Sequence, residues 1–433
     1  MSRRDPSRHG TPWQRNIVSV SWSDHLVFGE GEGRLDTVEA LGRRMNGWRQ
    51  ELGAGLIHWR STRDRIKGKY FAARGYRHFF QARRPHVPWD DFLEVPRLAH
   101  GLDMAVLLYV SLFDEGWPLP PARMREVSFH NAMHGQHASW QSEFSRKNPQ
   151  YAVTDRARKK RQWGVLSLAY PEVREHFIGR YRRLLDGGEF DGVFVCLRSQ
   201  SRPVDFADEY GFNEPVRRDF QKRCGRDIWR EDFDLQAWRG LLGEYLTRFL
   251  AQLRRGLPAH YLLAVGMPRG RVLGPPLGNT SLDWERWVQE GLVDHVVIDQ
   301  NSSQCPSMWH QLWPMHRGYG YLQNYLDGLN LKPLEEDLTF TYEPVFRGGR
   351  ARLYVARQWR ERSEAEEQSL LGHPAVAGLV FSSFRHDNPG PVSRNDWSVQ
   401  QTARFPGQVR GPGRRGGRMN CSTRLGATLD KIY

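Results

Sequence analysis

The stretch from Gly164 to Pro203 constrains the fold more than any other, because a helix pattern runs directly into a buried-strand pattern. Pro171 suits the first turn of a helix, where its missing N–H costs nothing. Apolar residues then recur at helical spacing until Leu185, and two glycines predict the end of the helix. The apolar run VFVCL at 193–197 is too short for a helix and typical of a parallel strand covered on both faces.

A polar cluster, RSQSR, follows this strand and begins with Arg198. Since α/β folds place ligand sites at the carboxyl ends of parallel strands, the cluster predicts a binding site at this edge. An unpaired charge there is costly. Arg198 therefore pairs with a neighbouring strand-end carboxylate, or it receives a carboxylate or sulfate on a substrate through its fork of donors.

The same alternation of strand and helix recurs along the chain. Apolar runs predict eight buried strands, at 17–20, 56–59, 105–112, 193–197, 261–265, 295–299, 353–356 and 377–381. Helix patterns between them cover 35–52, 89–102, 171–186, 214–224, 235–257, 284–290 and 364–371. This order predicts an α/β fold, a (β/α)₈ TIM barrel with long loops at its C-terminal face. An open doubly wound sheet is the alternative, but no glycine-rich phosphate turn follows the first strand.

Two connections are unusually long. The segment 63–86 is basic and aromatic, and we expect it to be irregular. The connection at 113–163 is too long for an ordinary loop, so we expect it to be functional or separately folded.

The net charge of +14 is concentrated at the ends of the 433-residue chain, which suggests three regions. Residues 1–15 carry +3 and residues 404–433 carry +6, which leaves +5 for the body. We expect a flexible basic N-terminus at 1–15, a single barrel domain at 16–403 and a disordered Gly/Pro/Arg-rich tail at 404–433. No zinc finger or RNA-recognition strand pair is found, so we expect no nucleic-acid partner.

Cysteine usage and hydropathy bear on the compartment. The four cysteines show no CxxC spacing, which favours free thiols in a reducing environment. The N-terminus lacks the apolar core of a signal peptide, and no stretch is long enough to span a bilayer. We therefore expect a cytoplasmic protein with no membrane partner.

Three segments, SLAYPEVREHF, FDGVFVCLR and YGFNEPVRRDFQKRCGRDI, resemble bacterial glycosyl-hydrolase-like (family-ten-like) barrel proteins. The resemblance is strongest over 165–228 and looser over 16–384. It implies a (β/α)₈ barrel that acts on or binds carbohydrate. Related glycosidase barrels commonly carry a catalytic carboxylate at the end of strand four, whereas this chain has Leu197 and Arg198 there, and strand five also lacks one. That acid pair is therefore not carried over.

Glycoside hydrolysis usually needs two carboxyl groups, one protonated and one ionised. The candidates that follow predicted strands are Asp24, Asp114, Glu115, Asp299 and Asp387. Asp299 is the first choice, because it closes a wholly apolar strand and precedes amides and hydroxyls, including Asn301, that could hold it. The alternative is that it caps the next helix or binds a sugar hydroxyl. Asp114 or Glu115 is the predicted catalytic partner, unless it is a plain loop carboxylate.

Other side chains are predicted to bind the sugar. Asp24 and Asp387 suit hydroxyl groups better than catalysis. Sugar rings pack their apolar faces on aromatic side chains, and Trp22, Trp59 and Trp359 have the best positions for a cleft, although large aromatics are often core residues.

His130, His134 and His137 would share one face if SFHNAMHGQH were helical, and this spacing suits zinc. Gly135 interrupts that helix and HExxH is absent, so we expect neither a metal nor another cofactor. His134 and His137 are interpreted as sugar ligands or as part of a solvated cluster.

Three functions remain open at this point. The first is a glycoside hydrolase of the barrel mouth, the second a non-catalytic carbohydrate-binding barrel, and the third a metal-dependent hydrolase that uses the histidines. The first two would bind the same carbohydrate ligands and differ in turnover, whereas only the third would lose its activity to a chelator.

Overall fold

A computed structural model describes residues 16–20, 37–61, 68–72, 89–115, 138–197, 208–273, 277, 280–298, 333–357 and 363–382. Its strands are β1 Asn16–Val20, β2 Ala54–Trp59, β3 Gly68–Ala72, β4 Ala105–Ser111, β5 Ala138–Ser142, β6 Ala152–Thr154, β7 Arg161–Leu166, β8 Gly192–Cys196, β9 Leu262–Gly266, β10 His295–Ile298, β11 Arg352–Ala356 and β12 Val376–Ser382. Eight of them close a parallel barrel in the order β1, β2, β4, β8, β9, β10, β11, β12.

Helices connect these strands. They are α1 Val38–Leu52, α2 Asp91–Gly101, α3 Glu143–Lys147, α4 Pro171–Asp186, α5 Glu214–Cys224, α6 Leu235–Gly256, α7 Trp284–Gln289, α8 Leu334–Asp337, α9 Glu343–Phe346 and α10 Glu364–Gly372. A 3₁₀ turn at Pro149–Tyr151 and a π turn at Leu338–Tyr342 complete the helical segments. The predicted (β/α)₈ barrel is confirmed, and each predicted strand forms one strand of the barrel.

The unit α4–β8 forms as its sequence predicts. Pro171 occupies the first helical position, and the helix ends at Asp186 with Gly187 as its cap. Every residue of β8 is buried, because one face points into the barrel and the other packs against helices.

The barrel wall separates two apolar clusters. The outer layer lies between strands and helices, and in β2 it contains Ile57 and Trp59. The lumen, enclosed by the strands, receives the alternate residues of β2, Leu56 and His58. Its apolar members are Ile17, Leu56, Leu107, Tyr109, Phe194, Cys196, Ala264, Val297, Tyr354, Ala356 and Val380. The lumen is therefore packed through most of its depth.

Three side chains tie strands together at the amino end of the barrel. The carboxylate of Asp191, just before β8, accepts the backbone N–H of Val106 at 2.7 Å. Asp294, before β10, accepts the N–H of Leu263 at 2.7 Å. Asn16 accepts the N–H of Leu379 at 2.9 Å. These three side chains accept hydrogen bonds from backbone N–H groups of other strands at the amino end of the barrel, so we assign them a role in stability.

The two long connections contain regular structure. Strand β3, within the segment expected to be irregular, pairs antiparallel with β5. Strands β6 and β7 form a second antiparallel pair. The described part of the connection 113–163 therefore contains regular structure, and β5 joins it to the segment 63–86.

The predicted domain limits, free cysteines and lack of a membrane span can be compared with the described residues. Residues 1–15 and 404–433 lie outside the described residues, so the proposed domain limits remain predictions. Cys196 lies in the lumen and Cys224 is exposed, each as a free thiol. Among the described helices, none has the length and apolar character needed to cross a bilayer.

Candidate functional site

A polar cluster lies where β2 and β4 end, side by side in the barrel. Arg60 follows β2 on the lumen face, and its Nη1 donates to Ser111 Oγ at 2.9 Å. Its Nη2 lies 3.9 Å from Asp114 Oδ2, and the side chains of Arg60 and Asp114 are 5% and 8% exposed. The guanidinium carbon lies 5.7 Å from the centre of the Tyr109 ring in the lumen. The carboxyl end of the barrel thus holds a buried cation beside a buried carboxylate.

The electrostatics of this cluster are costly to assemble. Removing two charges from water is unfavourable, and only close pairing and hydrogen bonds compensate for it. Asp114 and Ser111 supply such partners to Arg60, and the ring of Tyr109 adds a favourable cation–π contact. A guanidinium at this distance favours the ionised form of a carboxyl group. This arrangement suits Asp114 to act as a base or nucleophile.

Glu115 is directed to a different partner, although it adjoins Asp114 in the chain. It is fully buried, and its Oε1 accepts from Arg180 Nη1 of helix α4 at 3.3 Å. Its main chain is also held, since its N–H donates to Gly164 and its carbonyl accepts from Ser142, both at 2.9 Å. Glu115 therefore links β4 to the outer layer and to the connection that follows.

Trp59 also lies outside the lumen. It is fully buried in the outer layer, and its indole N–H donates to Asp91 Oδ2 at 2.8 Å. Ser61 donates to the other oxygen of the same carboxylate at 3.4 Å. Contact with a sugar, as predicted from the sequence, would require the ring to leave its place between β2 and α2.

Two further arginines follow barrel strands and were not predicted. Arg269, after β9, lies 3.5 Å from Asp337 of α8. Arg357, after β11, donates to both carboxylate oxygens of Glu366, at 2.8 and 2.6 Å. An arginine just after a buried strand is the sequence signal that could have identified them, as it identified Arg198.

Polar groups also lie deeper in the lumen, on β1 and β2. His58 is fully buried, and its ring stacks on Phe194 with 3.9 Å between centroids and 11° between planes. Burial holds the pKa of His58 well below 6.5, and His295 lowers it further. Within the described structure, neither ring nitrogen of His58 has a hydrogen-bond partner, and the same holds for Ser19 Oγ. An unsatisfied buried polar group costs about 1–3 kcal/mol, so these atoms require an explanation.

His295 gives the barrel a stability that depends on pH. It is the first residue of β10, and burial lowers its pKa to about 3. The unfolded chain takes up this proton near pH 6.5, whereas the folded protein does not until about pH 3. Stability should therefore fall as the pH drops through this window, by about 2 kcal/mol at pH 5 for this residue.

Chemical denaturation at pH 7.5 and pH 5 measures this effect. The variant His295→Leu should lose less free energy of unfolding between the two pH values than the wild type, by about 2 kcal/mol. Val297→Ala disturbs the same strand without removing an imidazole, so its loss should match the wild type. An unchanged loss in His295→Leu would contradict the assignment.

The remaining predicted site residues lie outside the described residues. They are Trp22, Asp24, His134, His137, Arg198, Asp299, Asn301, Trp359 and Asp387, together with His130 of the histidine cluster. Among the residues that the structure describes, no group of three or more His, Cys, Asp or Glu side chains could hold a metal ion.

Comparison with known proteins finds distant structural likenesses. No family model and no curated protein matches the chain. The GH36 alpha-galactosidase AgaA from Geobacillus stearothermophilus is 14% identical, with a TM-score of 0.39 over 90% of this chain and 41% of that one. The noncanonic maltogenic alpha-amylase AmyB from Thermotoga neapolitana is 10% identical, with a TM-score of 0.39 over 92% and 77%. An alpha-galactosidase from Lactobacillus brevis is 12% identical, with a TM-score of 0.37 over 91% and 40%.

The chain spans about two-fifths of the length of these alpha-galactosidases. Likeness at this level of identity carries no conclusion about activity.

Proposed function

We propose that this protein is a glycoside hydrolase that acts on a poly- or oligosaccharide at the carboxyl end of its barrel. The observation that carries the proposal is the buried carboxylate of Asp114, which lies beside Arg60 where two adjacent strands of the barrel end. Barrel enzymes place their catalytic groups at this end. The resemblance of 165–228 to glycosyl-hydrolase-like, family-ten-like barrels adds support.

The proposed chemistry uses Asp114 and Asp299. Asp114, which lies beside Arg60, is assigned the role of base or nucleophile, and Asp299 that of the acid that protonates the leaving oxygen. The strand before Asp299 is β10, which is three places from β4 around the barrel. Carboxylates that follow these two strands approach a sugar from different sides of the mouth, as acid and base must.

The proposal assigns the other predicted residues to binding. Arg198, Asp24, Asn301 and Asp387 are ligands for polar groups of the substrate in this scheme, as are His134 and His137. Trp22 and Trp359 offer rings to its apolar faces. Glu115 is left out of the catalytic pair, because its carboxylate is engaged with Arg180 of helix α4.

Release of reducing sugar from a panel of neutral and acidic polysaccharides tests the proposal. We expect release by the wild type and at least a hundredfold loss of kcat in both Asp114→Asn and Asp299→Asn. Glu366→Gln is the matched control, because its carboxylate also pairs with an arginine that follows a strand, Arg357, but on helix α10. This control should keep wild-type kcat.

Two other outcomes would contradict the proposal. Release that a chelator abolishes would indicate the metal-dependent hydrolase. Binding of glycans without any release would indicate a carbohydrate-binding barrel. This second function is favoured by one observation, namely that β8 and β9 are followed by Leu197 and Met267 and not by carboxylates.

A further inference from the structure

The unpartnered polar atoms of His58 and Ser19 lie together on the lumen side of adjacent strands. Ser19 of β1 is in register with His58 of β2. Both alternate with residues of the outer layer, since Val18, Val20, Ile57 and Trp59 belong to it. Their side chains therefore project from neighbouring strands into the same part of the lumen.

This pair lies below the mouth of the barrel. Arg60, two residues beyond His58 on the same face of β2, bonds to Ser111 at the end of β4. Two residues of a strand span about 6.6 Å, so the backbone of His58 lies deeper in the barrel than that of Arg60. The stacked ring of Phe194 fixes the plane of the imidazole, and the edge of Tyr109 meets Phe194 at 5.0 Å. The nitrogens of His58 are thus held in place without a hydrogen bond.

The donor and acceptor pattern of the pair matches one kind of ligand. A neutral imidazole offers one N–H donor and one acceptor nitrogen, and a serine hydroxyl offers both functions in one atom. An alcohol also donates and accepts, so one hydroxyl group can bond to Ser19 Oγ and to one ring nitrogen of His58. A carboxylate only accepts and would bring a charge to a place where His58 is neutral, and an ammonium group only donates.

We propose that Ser19 and His58 form the polar floor of the substrate site and bind one hydroxyl group of an uncharged sugar ring. The inference rests on the proposed function, which it deepens by naming the class of substrate at this subsite. Arg60 and Ser111 then lie beside the same ring, nearer the mouth. Charged groups of an acidic glycan would have to be bound by residues nearer the solvent.

Deoxy substrates test the contact directly. The probes are the 4-nitrophenyl glycoside of the released sugar and its monodeoxy analogues, each lacking one hydroxyl group. For the wild type, we expect one analogue to lose at least tenfold in kcat/KM. In His58→Phe, which keeps a ring stacked on Phe194, the same analogue should lose less than twofold against the parent glycoside.

The controls separate this contact from general damage. His295→Phe makes the same substitution at the first residue of β10, so it should keep the tenfold penalty. Ser19→Ala removes a single oxygen and should reduce the penalty in part, which keeps the test open if His58→Phe does not fold. An unchanged penalty in both His58→Phe and Ser19→Ala would overturn the inference.

A binding measurement makes the inference independent of hydrolysis. In full-length protein labelled with [¹³Cε1]histidine, D-glucose, D-galactose, D-mannose or D-xylose should shift the His58 signal, which is assigned by its loss in His58→Phe. If a sugar shifts the His58 signal but the protein cleaves no glycan, the result supports binding at Ser19 and His58 and contradicts the proposed hydrolase function. If none of the four sugars shifts the signal, or if D-glucuronate shifts it more strongly, the inference is overturned.

Discussion

Replacing Gly192 with alanine is expected to lower the free energy of unfolding by about 3–5 kcal/mol, because the added methyl group would force two barrel strands apart. A Cβ at this position would lie 2.0 Å from the carbonyl oxygen of Leu262 and 2.6 Å from its nitrogen. Both are backbone atoms of the paired strand β9, so no side-chain rotation can relieve the clash.

The surrounding hydrogen bonds leave β8 little freedom to move. The N–H of Asp191 donates to Val106 of β4 at 2.8 Å, and its carbonyl accepts from Leu262 of β9 at 2.9 Å. Separating β8 from β9 therefore breaks the barrel at its amino end. Urea denaturation of wild type and Gly192→Ala measures the change.

The matched control for this prediction is Gly240→Ala. A Cβ on Gly240, in helix α6, would meet nothing within 4 Å. Because alanine favours a helix over glycine, this change should raise stability by about 0.5–1 kcal/mol. A loss below 1 kcal/mol in Gly192→Ala would show that the strands can separate at low cost.

The fold was predictable from the sequence because its signals are local. Each barrel strand is a short apolar run that ends in polar residues, and the long helices α1, α4, α5 and α6 have apolar residues at helical spacing. The pairing of β3 with β5 was missed, because it joins segments about 70 residues apart. A strand of five residues has too short a hydrophobic pattern to indicate which distant segment it pairs with.

The site was predictable only in part, for a reason that Trp59 illustrates. Along β2 and the residue after it, Leu56, His58 and Arg60 face the lumen, whereas Ile57 and Trp59 face the outer layer. Since both faces of a barrel strand are buried and both are mostly apolar, the sequence does not tell which face is the lumen. The sequence predicts Trp59 at the cleft, whereas the structure places Trp59 in the outer layer and directs His58 and Arg60 towards the lumen. The polar side chains of His58 and Arg60 indicate the lumen face of β2 better than the large ring of Trp59 does.

The neighbours Asp114 and Glu115 present the same problem at the end of β4. Successive residues of an extended chain point in opposite directions, so only one of the two carboxylates can face Arg60. The structure brings Asp114 to Arg60 and Glu115 to Arg180 of helix α4. We therefore expect the two residues to differ in kind, one acting in catalysis and the other in stability.

Replacing Arg180 with methionine should lower the free energy of unfolding by about 3 kcal/mol or more. Glu115 is fully buried, and the loss of Arg180 would take a paired cation from a carboxylate that water cannot reach. Glu115→Gln should cost less, because an amide has no charge to compensate and can still accept a hydrogen bond. The double variant should be more stable than Arg180→Met alone, since it removes both charges of the pair.

The same variants separate the roles of the two carboxylates. If Glu115 serves stability, kcat of Glu115→Gln at a temperature well below its Tm stays within about threefold of wild type, whereas Asp114→Asn, assayed well below its own Tm, loses at least a hundredfold. A hundredfold loss of kcat in Glu115→Gln, with Tm unchanged, would reverse this assignment. Arg180→Met provides an independent test of whether Glu115 is catalytic or structural. A catalytic Glu115 tuned by Arg180 would shift the pH profile of kcat/KM in that variant, and a structural pair would move only Tm.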